Sequence, residues 1–330
     1  MSEAETMLSV DNLKVYFDIK PEGAMLWTKP LRLKAVDGVS FDLKKGETLG
    51  IVGESGCGKS TLARAVISMV PSESGRVVWM GSDILGLPVD KMRPLRREIQ
   101  MIFQDPLASL DPRMTIGEII AEPLKTHMRN LKPKEIKERV QAMMDKVGLL
   151  PNQINRYPHE FSGGQCQRIG IARSLILEPK LVICDEPVSA LDVSIQAQVI
   201  NLLTRLQKEL GISLIFIAHD LSVVKHISDR VLVLYLGNAV EMSDGDELYM
   251  RPRHPYTQLL ISAVPIPDPE IEQNREVDLI KGELPSPINP PSGCVFRTRC
   301  PRVQEKCAKE KPVLQTIEGT HQVACHFPLD

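Results

Sequence analysis

Hydrophobic positions in this chain follow two periods in alternation. Val10 to Phe17 alternates loosely and Thr48 to Val52 is a short apolar run ending at Gly53, so residues 8–52 read as strands and turns. From Ser60 to Val70 the spacing becomes helical, and Pro71 stops it. Ile136, Val140, Met143 and Val147 make a helical stripe closed by Gly148. Ile195, Val199, Leu202, Leu206 and Leu210 make a second, closed by Gly211. Leu181 to Cys184, Ser213 to Ile217 and Val231 to Tyr235 are apolar runs of the buried-strand kind. Strands alternating with helices predict an α/β core with a largely parallel sheet, preceded by antiparallel N-terminal strands. Residues 105–130 are rich in Pro, Asp and Met and read as loops and short helices. The whole stretch from about 105 to 175 lacks strong strands and reads as a helical subdomain.

The pattern breaks near residue 263. Pro265, Pro267, Pro269, Pro285, Pro287, Pro290 and Pro291 interrupt all that follows. This divides the chain into a core over residues 1–262 and, over 263–330, an extended arm leading to a small cysteine-rich module. That module has too small a core to stand alone, so a metal would have to hold it.

Composition adds little. The apolar fraction is 43% and the charged fraction 25%, both ordinary for a globular protein. A formal net charge of −2 points neither to nucleic acid nor to an anionic membrane surface. No uncharged apolar run approaches the roughly 20 residues that cross a bilayer. The start, Met1-Ser2-Glu3-Ala4-Glu5, lacks the basic and apolar regions of a signal peptide. A cytosolic protein is expected, reaching a membrane only through other subunits. Of seven cysteines, Cys57, Cys166 and Cys184 are scattered, whereas Cys294, Cys300, Cys307 and Cys325 crowd together near the end. In a reducing compartment that cluster suggests metal before disulfides.

Three motifs carry chemistry. Gly53-Glu54-Ser55-Gly56-Cys57-Gly58-Lys59-Ser60-Thr61 fits G-x-x-x-x-G-K-[ST] in full, with a strand before it and a helix after it. Its glycines let backbone N–H groups turn toward phosphate oxygens, and the helix start adds its positive dipole end. Lys59 would reach the β- and γ-phosphates and Ser60 would ligate Mg²⁺. Second, Asp185 and Glu186 end the apolar strand 181–184. Adjacent strand side chains diverge, which suits two roles: Asp185 on Mg²⁺ through water, and Glu186 as the base polarising the attacking water. Third, Phe161-Ser162-Gly163-Gly164-Gln165 puts two glycines and a hydroxyl at a helix start, another place where backbone can approach a phosphate closely.

The Ser-Gly-Gly-Gln turn between a phosphate loop and an acidic strand end resembles the signature motif of ABC transporter ATPases. The resemblance covers essentially the whole chain. It implies that Ser162, Gly163, Gly164 and Gln165 complete the ATP site of a second subunit, and that Gln104, after Met101-Ile102-Phe103, contacts Mg²⁺ and the water. It also implies that His219 is the switch histidine at the γ-phosphate. Ser189-Ala190-Leu191-Asp192 resembles the loop crossing between subunits, with Asp192 its key residue. Phe17, in the pattern beginning at Asn12, matches the aromatic that stacks on adenine, with Tyr16 as the alternative. The family commonly has a basic residue after the signature glutamine, where this chain has Cys166, a difference expected to alter packing or local charge at the subunit interface.

Arg253-His254-Pro255-Tyr256-Thr257 and Gly282-Glu283-Leu284-Pro285-Ser286-Pro287, followed by the cysteines, resemble the C-terminal region of di- and oligopeptide importer ATPases. The cysteine spacing, C-x5-C-x6-C-x17-C, suits zinc ribbons poorly and leaves iron–sulfur and zinc both open. The resemblance to importer ATPases with an iron–sulfur tail implies a structural 4Fe–4S cluster on Cys294, Cys300, Cys307 and Cys325. Basic residues around these cysteines are interrupted by Glu305, Glu310 and Glu318, so a solvated surface rather than a nucleic-acid site is expected.

The expected function is an ATPase powering di- or oligopeptide import, on the cytoplasmic face of the membrane. Its partners would be a second, related but different ATPase chain, two transmembrane permease subunits and an extracytoplasmic peptide-binding protein. A nickel or other small-solute importer of the same branch is the first alternative. A soluble ABC ATPase acting on nucleic acid is the second, and the insertions typical of such proteins are absent from the sequence.

Overall fold

The computed structural model describes residues 5–20, 23, 29–264 and 282–330. Pro265, Pro267 and Pro269 of the expected arm lie outside the described residues.

The chain opens on two long strands, β1 (Thr6–Ile19) and β2 (Leu31–Lys44), paired antiparallel. β3 (Thr48–Val52) leads through the glycine loop into α1 (Lys59–Val66). This helix ends four residues before the Val70 expected from periodicity. Ser68 takes a left-handed φ of 53° and its N–H bonds Ala65 O, so the chain turns before Pro71 can disturb it. β4 (Ser74–Trp79) and the short β5 (Ser82–Asp83) complete a four-stranded antiparallel sheet in the order β2-β1-β4-β5.

α2 (Val89–Glu98) runs into β6 (Ile99–Ile102). Three helices then occupy the strand-free stretch: α3 (Ile116–His127), α4 (Pro133–Lys146) and α5 (Gly163–Leu175). α3 starts on a reciprocal cap between Thr115 and Glu118 and carries Pro123 inside it. β7 (Leu181–Asp185), α6 (Val193–Leu210), β8 (Ser213–Ile217), α7 (Leu221–Ile227) and β9 (Arg230–Tyr235) supply the alternating α/β pattern. β10 (Asn238–Asp244), α8 (Gly245–Met250) and α9 (Pro255–Ser262) follow. The final segment contributes α10 (Glu305–Lys309), β11 (Gln315–Glu318) and β12 (His321–Val323).

The large sheet has the order β11-β12-β10-β9-β3-β8-β7-β6. β9, β3, β8, β7 and β6 run parallel, while β10, β12 and β11 are antiparallel additions. The parallel strands are buried on both faces, which is why they read as unbroken apolar runs. Successive residues feed opposite cores. Leu181, Ile183, Ile215, Ile217, Leu232 and Leu234 pack toward the antiparallel sheet and α1. Val182, Cys184, Leu214, Phe216, Val231 and Val233 pack toward the helices. The last residues are built onto this core: β12 pairs with β10, and Cys294, Phe296 and Cys307 belong to the helical-side cluster.

Candidate nucleotide site

β3 ends in the middle of the sheet, and the loop it feeds must double back over the strand end. Only glycine suits two of its positions. Gly53 has φ 153° and a Cβ there would stand 2.2 Å from Leu234 O. Gly58 has φ 102° and a Cβ would stand 2.0 Å from Ala35 O. The Gly237 N–H donates to Cys57 O at 2.8 Å and ties the loop to the β9–β10 turn. The Cys57 side chain is buried, and burial raises its pKa, so a neutral thiol fills the space behind Gly53. Its place in the motif is one of packing and backbone.

Lys59 is buried and threads back through its own loop. Its Nζ donates to Gly53 O at 2.8 Å and Glu54 O at 3.1 Å, and lies 3.9 Å from Glu186 Oε1. Those carbonyls hold the ammonium at the loop's centre. Ser60 Oγ donates to Asp185 Oδ1 at 2.6 Å, and Arg64 Nη2 donates to Asp185 Oδ2 at 3.3 Å. A hydroxyl and a carboxylate in direct contact are hard oxygen donors, the kind Mg²⁺ takes. Arg64 was not foreseen, although it sits one helical turn after Ser60 and so on the same face.

The diverging roles of the acidic pair have a structural counterpart. Asp185 is wholly buried at the end of β7, whereas Glu186 is partly open. Glu186 has a left-handed φ of 46°, a conformation that costs a non-glycine residue about 1–2 kcal/mol. Its backbone N–H donates to Ile217 O at 3.1 Å, which holds the turn. The result aims the carboxylate at Gln104, whose Nε2 donates to Glu186 Oε2 at 3.0 Å. His219 and Glu186 line one small cavity with Ser189 and Gln196. Thus Lys59, Ser60, Asp185, Glu186, Gln104 and His219 converge from four separate segments.

Other sequence candidates lie elsewhere. Ser162 accepts from the Gln165 N–H at 3.4 Å while Gln165 Oε1 accepts from the Ser162 N–H at 2.9 Å, a reciprocal cap that starts α5. A Cβ at Gly163 would stand 3.7 Å from Leu191 and one at Gly164 2.5 Å from Ile195, so the signature turn rests on the start of α6. There Asp192 is exposed at the N-cap position just before α6, without a side-chain cap bond. Gln196 Nε2 shapes the preceding turn by donating to Val188 O and Leu191 O. Ser162 and Gly163 are exposed, as are Ser55 and Gly56 of the phosphate loop. Phe17 is half-buried against the antiparallel-sheet core. Tyr16 is engaged by Asp37 at 2.5 Å and by the Arg32 guanidinium over its ring. Cys166 differs from the expectation: it is fully buried in α5, with Sγ 3.5 Å from Pro158 O. It is a core residue and presents no charge to an interface.

Cys294, Cys300, Cys307 and Cys325 line one small cavity of about 10 Å³ with Phe296 and His254. Burial, then the thiols of Cys325, Cys307 and Cys300, push Cys294 up to about 11. Among the described residues, no group of three or more His, Cys, Asp or Glu is spaced to hold a single metal ion. No described helix is long and apolar enough to cross a membrane.

Comparisons with known proteins identify the family. Residues 36–189 match the ABC transporter family, and residues 240–307 match the oligopeptide/dipeptide transporter C-terminal region. The oligopeptide transport ATP-binding protein OppF of Salmonella typhimurium is 65% identical over 98% of this chain and 97% of its own. The Escherichia coli protein of the same name is 66% identical over 97% and 96%. The oligopeptide transport ATP-binding protein AppF of Bacillus subtilis is 54% identical over 98% of each chain. Among solved structures, a dimeric post-hydrolysis state of the ATP-binding cassette MJ0796 bound to ADP and phosphate superposes with a TM-score of 0.64. It is 27% identical and covers 72% of this chain and 98% of its own. The cbiO1 protein of Clostridium perfringens, part of an ABC transporter complex, gives 0.64 at 28% identity over 75% and 92%.

Proposed function

This chain belongs to the oligopeptide-transport branch of the ABC transporter ATP-binding family, and on that footing we propose how its residues drive peptide import. It is the ATP-binding subunit of an oligopeptide transporter, an ATPase coupled to transport. The observation that carries the mechanism is the contact of Gln104 and Lys59 with Glu186, the residue held in a left-handed turn.

In this reading Lys59 and the backbone N–H groups of residues 55–61 cradle the phosphates, with Phe17 under the adenine. Ser60 and Asp185 hold Mg²⁺, which offsets phosphate charge when bound. Glu186 takes the proton of the attacking water, oriented by Gln104, and His219 addresses the γ-phosphate. Ser162, Gly163, Gly164 and Gln165 serve the site of a second ATPase chain, with Asp192 at the crossing. The exposure of Ser55 and Gly56 in one half-site and of Ser162 and Gly163 in the other supports this.

Two permease subunits and an extracytoplasmic peptide-binding protein complete the assembly, with this chain on its cytoplasmic face. A cavity of about 830 Å³ bounded by Phe103, Gln104 and Asp105 is the place for a permease segment, because movement there reaches Glu186 through Gln104. Residues 282–330 act as a cysteine-bearing unit seated on the core. Its four thiols are a soft donor set around one cavity, which supports a structural 4Fe–4S cluster. Iron and acid-labile sulfide assayed on anaerobically purified protein test this; zinc, or four titratable thiols, would refute it.

Glu186→Gln tests the base. It should bind MgATP and hold a closed pair with the partner ATPase while hydrolysis falls by about 100-fold or more. Hydrolysis at the parental rate would remove Glu186 from that role.

A further inference from the structure

Glu54 is the second residue of the phosphate loop, and both its backbone and its side chain are held by residues some 200 positions or more away. Its N–H donates to Tyr256 Oη at 2.9 Å, across 202 residues. Its carboxylate receives Arg299 in a two-pronged contact, Nη1 to Oε2 at 2.7 Å and Nη2 to Oε1 at 3.1 Å, across 245 residues. The Arg299 side chain is 8% exposed and that of Glu54 23%. Tyr256, Tyr235 and Phe296 form one aromatic cluster, with ring centroids 4.8–5.3 Å apart, and Arg299 Nη1 also reaches Tyr235 Oη at 3.4 Å. Phe296 and Arg299 lie between Cys294 and Cys300, so the cysteine-bearing segment meets the phosphate loop through its own residues.

We propose that Arg299 is a positioning residue for ATP: it fixes the phosphate loop and neutralises the one carboxylate within it. An ionised Glu54 left unpaired would repel the incoming triphosphate, and in a partly desolvated site such repulsion is strong. A two-pronged arginine cancels the charge and sets the direction of the carboxylate, which a lysine's point charge does less well. The arrangement also has a cost. Arg299 Nε is buried with no hydrogen-bond partner among the described residues, so the guanidinium is oriented for Glu54 at the expense of its third donor. The Tyr256 bond converges on the same loop residue independently, as anchoring of the tail alone would not require.

The inference rests on residues 53–61 being the ATP phosphate loop. Lys59→Ala, assayed alongside, checks that premise separately by abolishing MgATP binding. The test measures MgATP affinity and thermal midpoint on the full chain for Arg299→Met, Glu54→Gln and the double variant. Arg299→Met should weaken MgATP binding by about fivefold to tenfold, the size expected for an uncompensated, partly buried charge. Adding Glu54→Gln should restore at least half of that loss on a logarithmic scale, even though the double variant regains no tail contact. If Arg299→Met lowers only the thermal midpoint, or if Glu54→Gln fails to restore affinity, the proposal is overturned. Should the methionine variant not fold, Arg299→Lys replaces it: a smaller loss, again reversed by Glu54→Gln, is expected, and an unchanged affinity overturns it.

Discussion

Glu241 is the deepest anchor of the C-terminal segment, and replacing it by alanine should release that segment. Its carboxylate is fully buried on β10. It accepts the Arg253 N–H at 2.6 Å and the His254 N–H at 3.0 Å, and faces His321 Nε2 of β12 at 2.7 Å. Alanine leaves two backbone donors and a ring nitrogen without an acceptor. Each orphaned donor costs about 1–3 kcal/mol, and breaking one side of a buried ion pair costs about 3–5 kcal/mol in total. Taking about 4 kcal/mol, at roughly 2–4 °C per kcal/mol, the thermal midpoint falls by about 8–16 °C. The pH dependence gives a second reading. Burial pushes His321 down, but its hydrogen bond to Glu241 and the charges of Glu241 and Glu247 outweigh this and leave it raised. A raised folded value means the contribution is complete below the ordinary histidine range near 6.5 and fades as pH climbs through the folded value. Thermal melts followed by circular dichroism from pH 6 to 9 should show that loss in the parent and not in Glu241→Ala. A fall of less than about 3 °C, or the same pH slope in both proteins, would refute the anchoring role.

Further outcomes follow from the same geometry. Gly58→Ala must place Cβ 2.0 Å from Ala35 O at φ 102°, so MgATP binding measured by calorimetry should be lost. Gly164→Ala would place Cβ 2.5 Å from Ile195 Cγ2; hydrolysis should fall several-fold, and Ile195→Ala, which removes that carbon, should recover part of it in a steady-state ATPase assay. Burial, partly offset by Glu241, lowers His254 to about 4, the opposite sign to His321. Its contribution is therefore present above pH 6.5 and lost toward pH 4, worth about 3 kcal/mol. His254→Asn, which keeps an acceptor for the Tyr256 N–H, should flatten that acid slope in denaturant melts.

Strands buried on both faces announce themselves as apolar runs, so the expected Thr48–Val52 and Ser213–Ile217 strands coincide with β3 and β8. The helix caps at Gly148 and Gly211 are equally local, because a left-handed residue stops a helix wherever it stands. α2 left little trace: only Met92 of its ten residues is buried, which gives no stripe to read. The phosphate loop, the acidic strand end and the signature turn were legible because each works through a fixed local spacing.

What no spacing carries is the meeting of distant segments. Sequence marked Cys166 as an interface residue because it adjoins an exposed turn, yet helix geometry turns it inward. Glu186 could be named as a base from its strand end, but its left-handed turn depends on the bond to Ile217 in a neighbouring strand. Arg299 looked like one of several solvated cations until folding brought it across 245 residues to Glu54. Local sequence fixes backbone periodicity and motif chemistry, because both act within a few residues. Charge pairing and burial are decided by which surfaces the fold presses together, and that is a property of the whole chain.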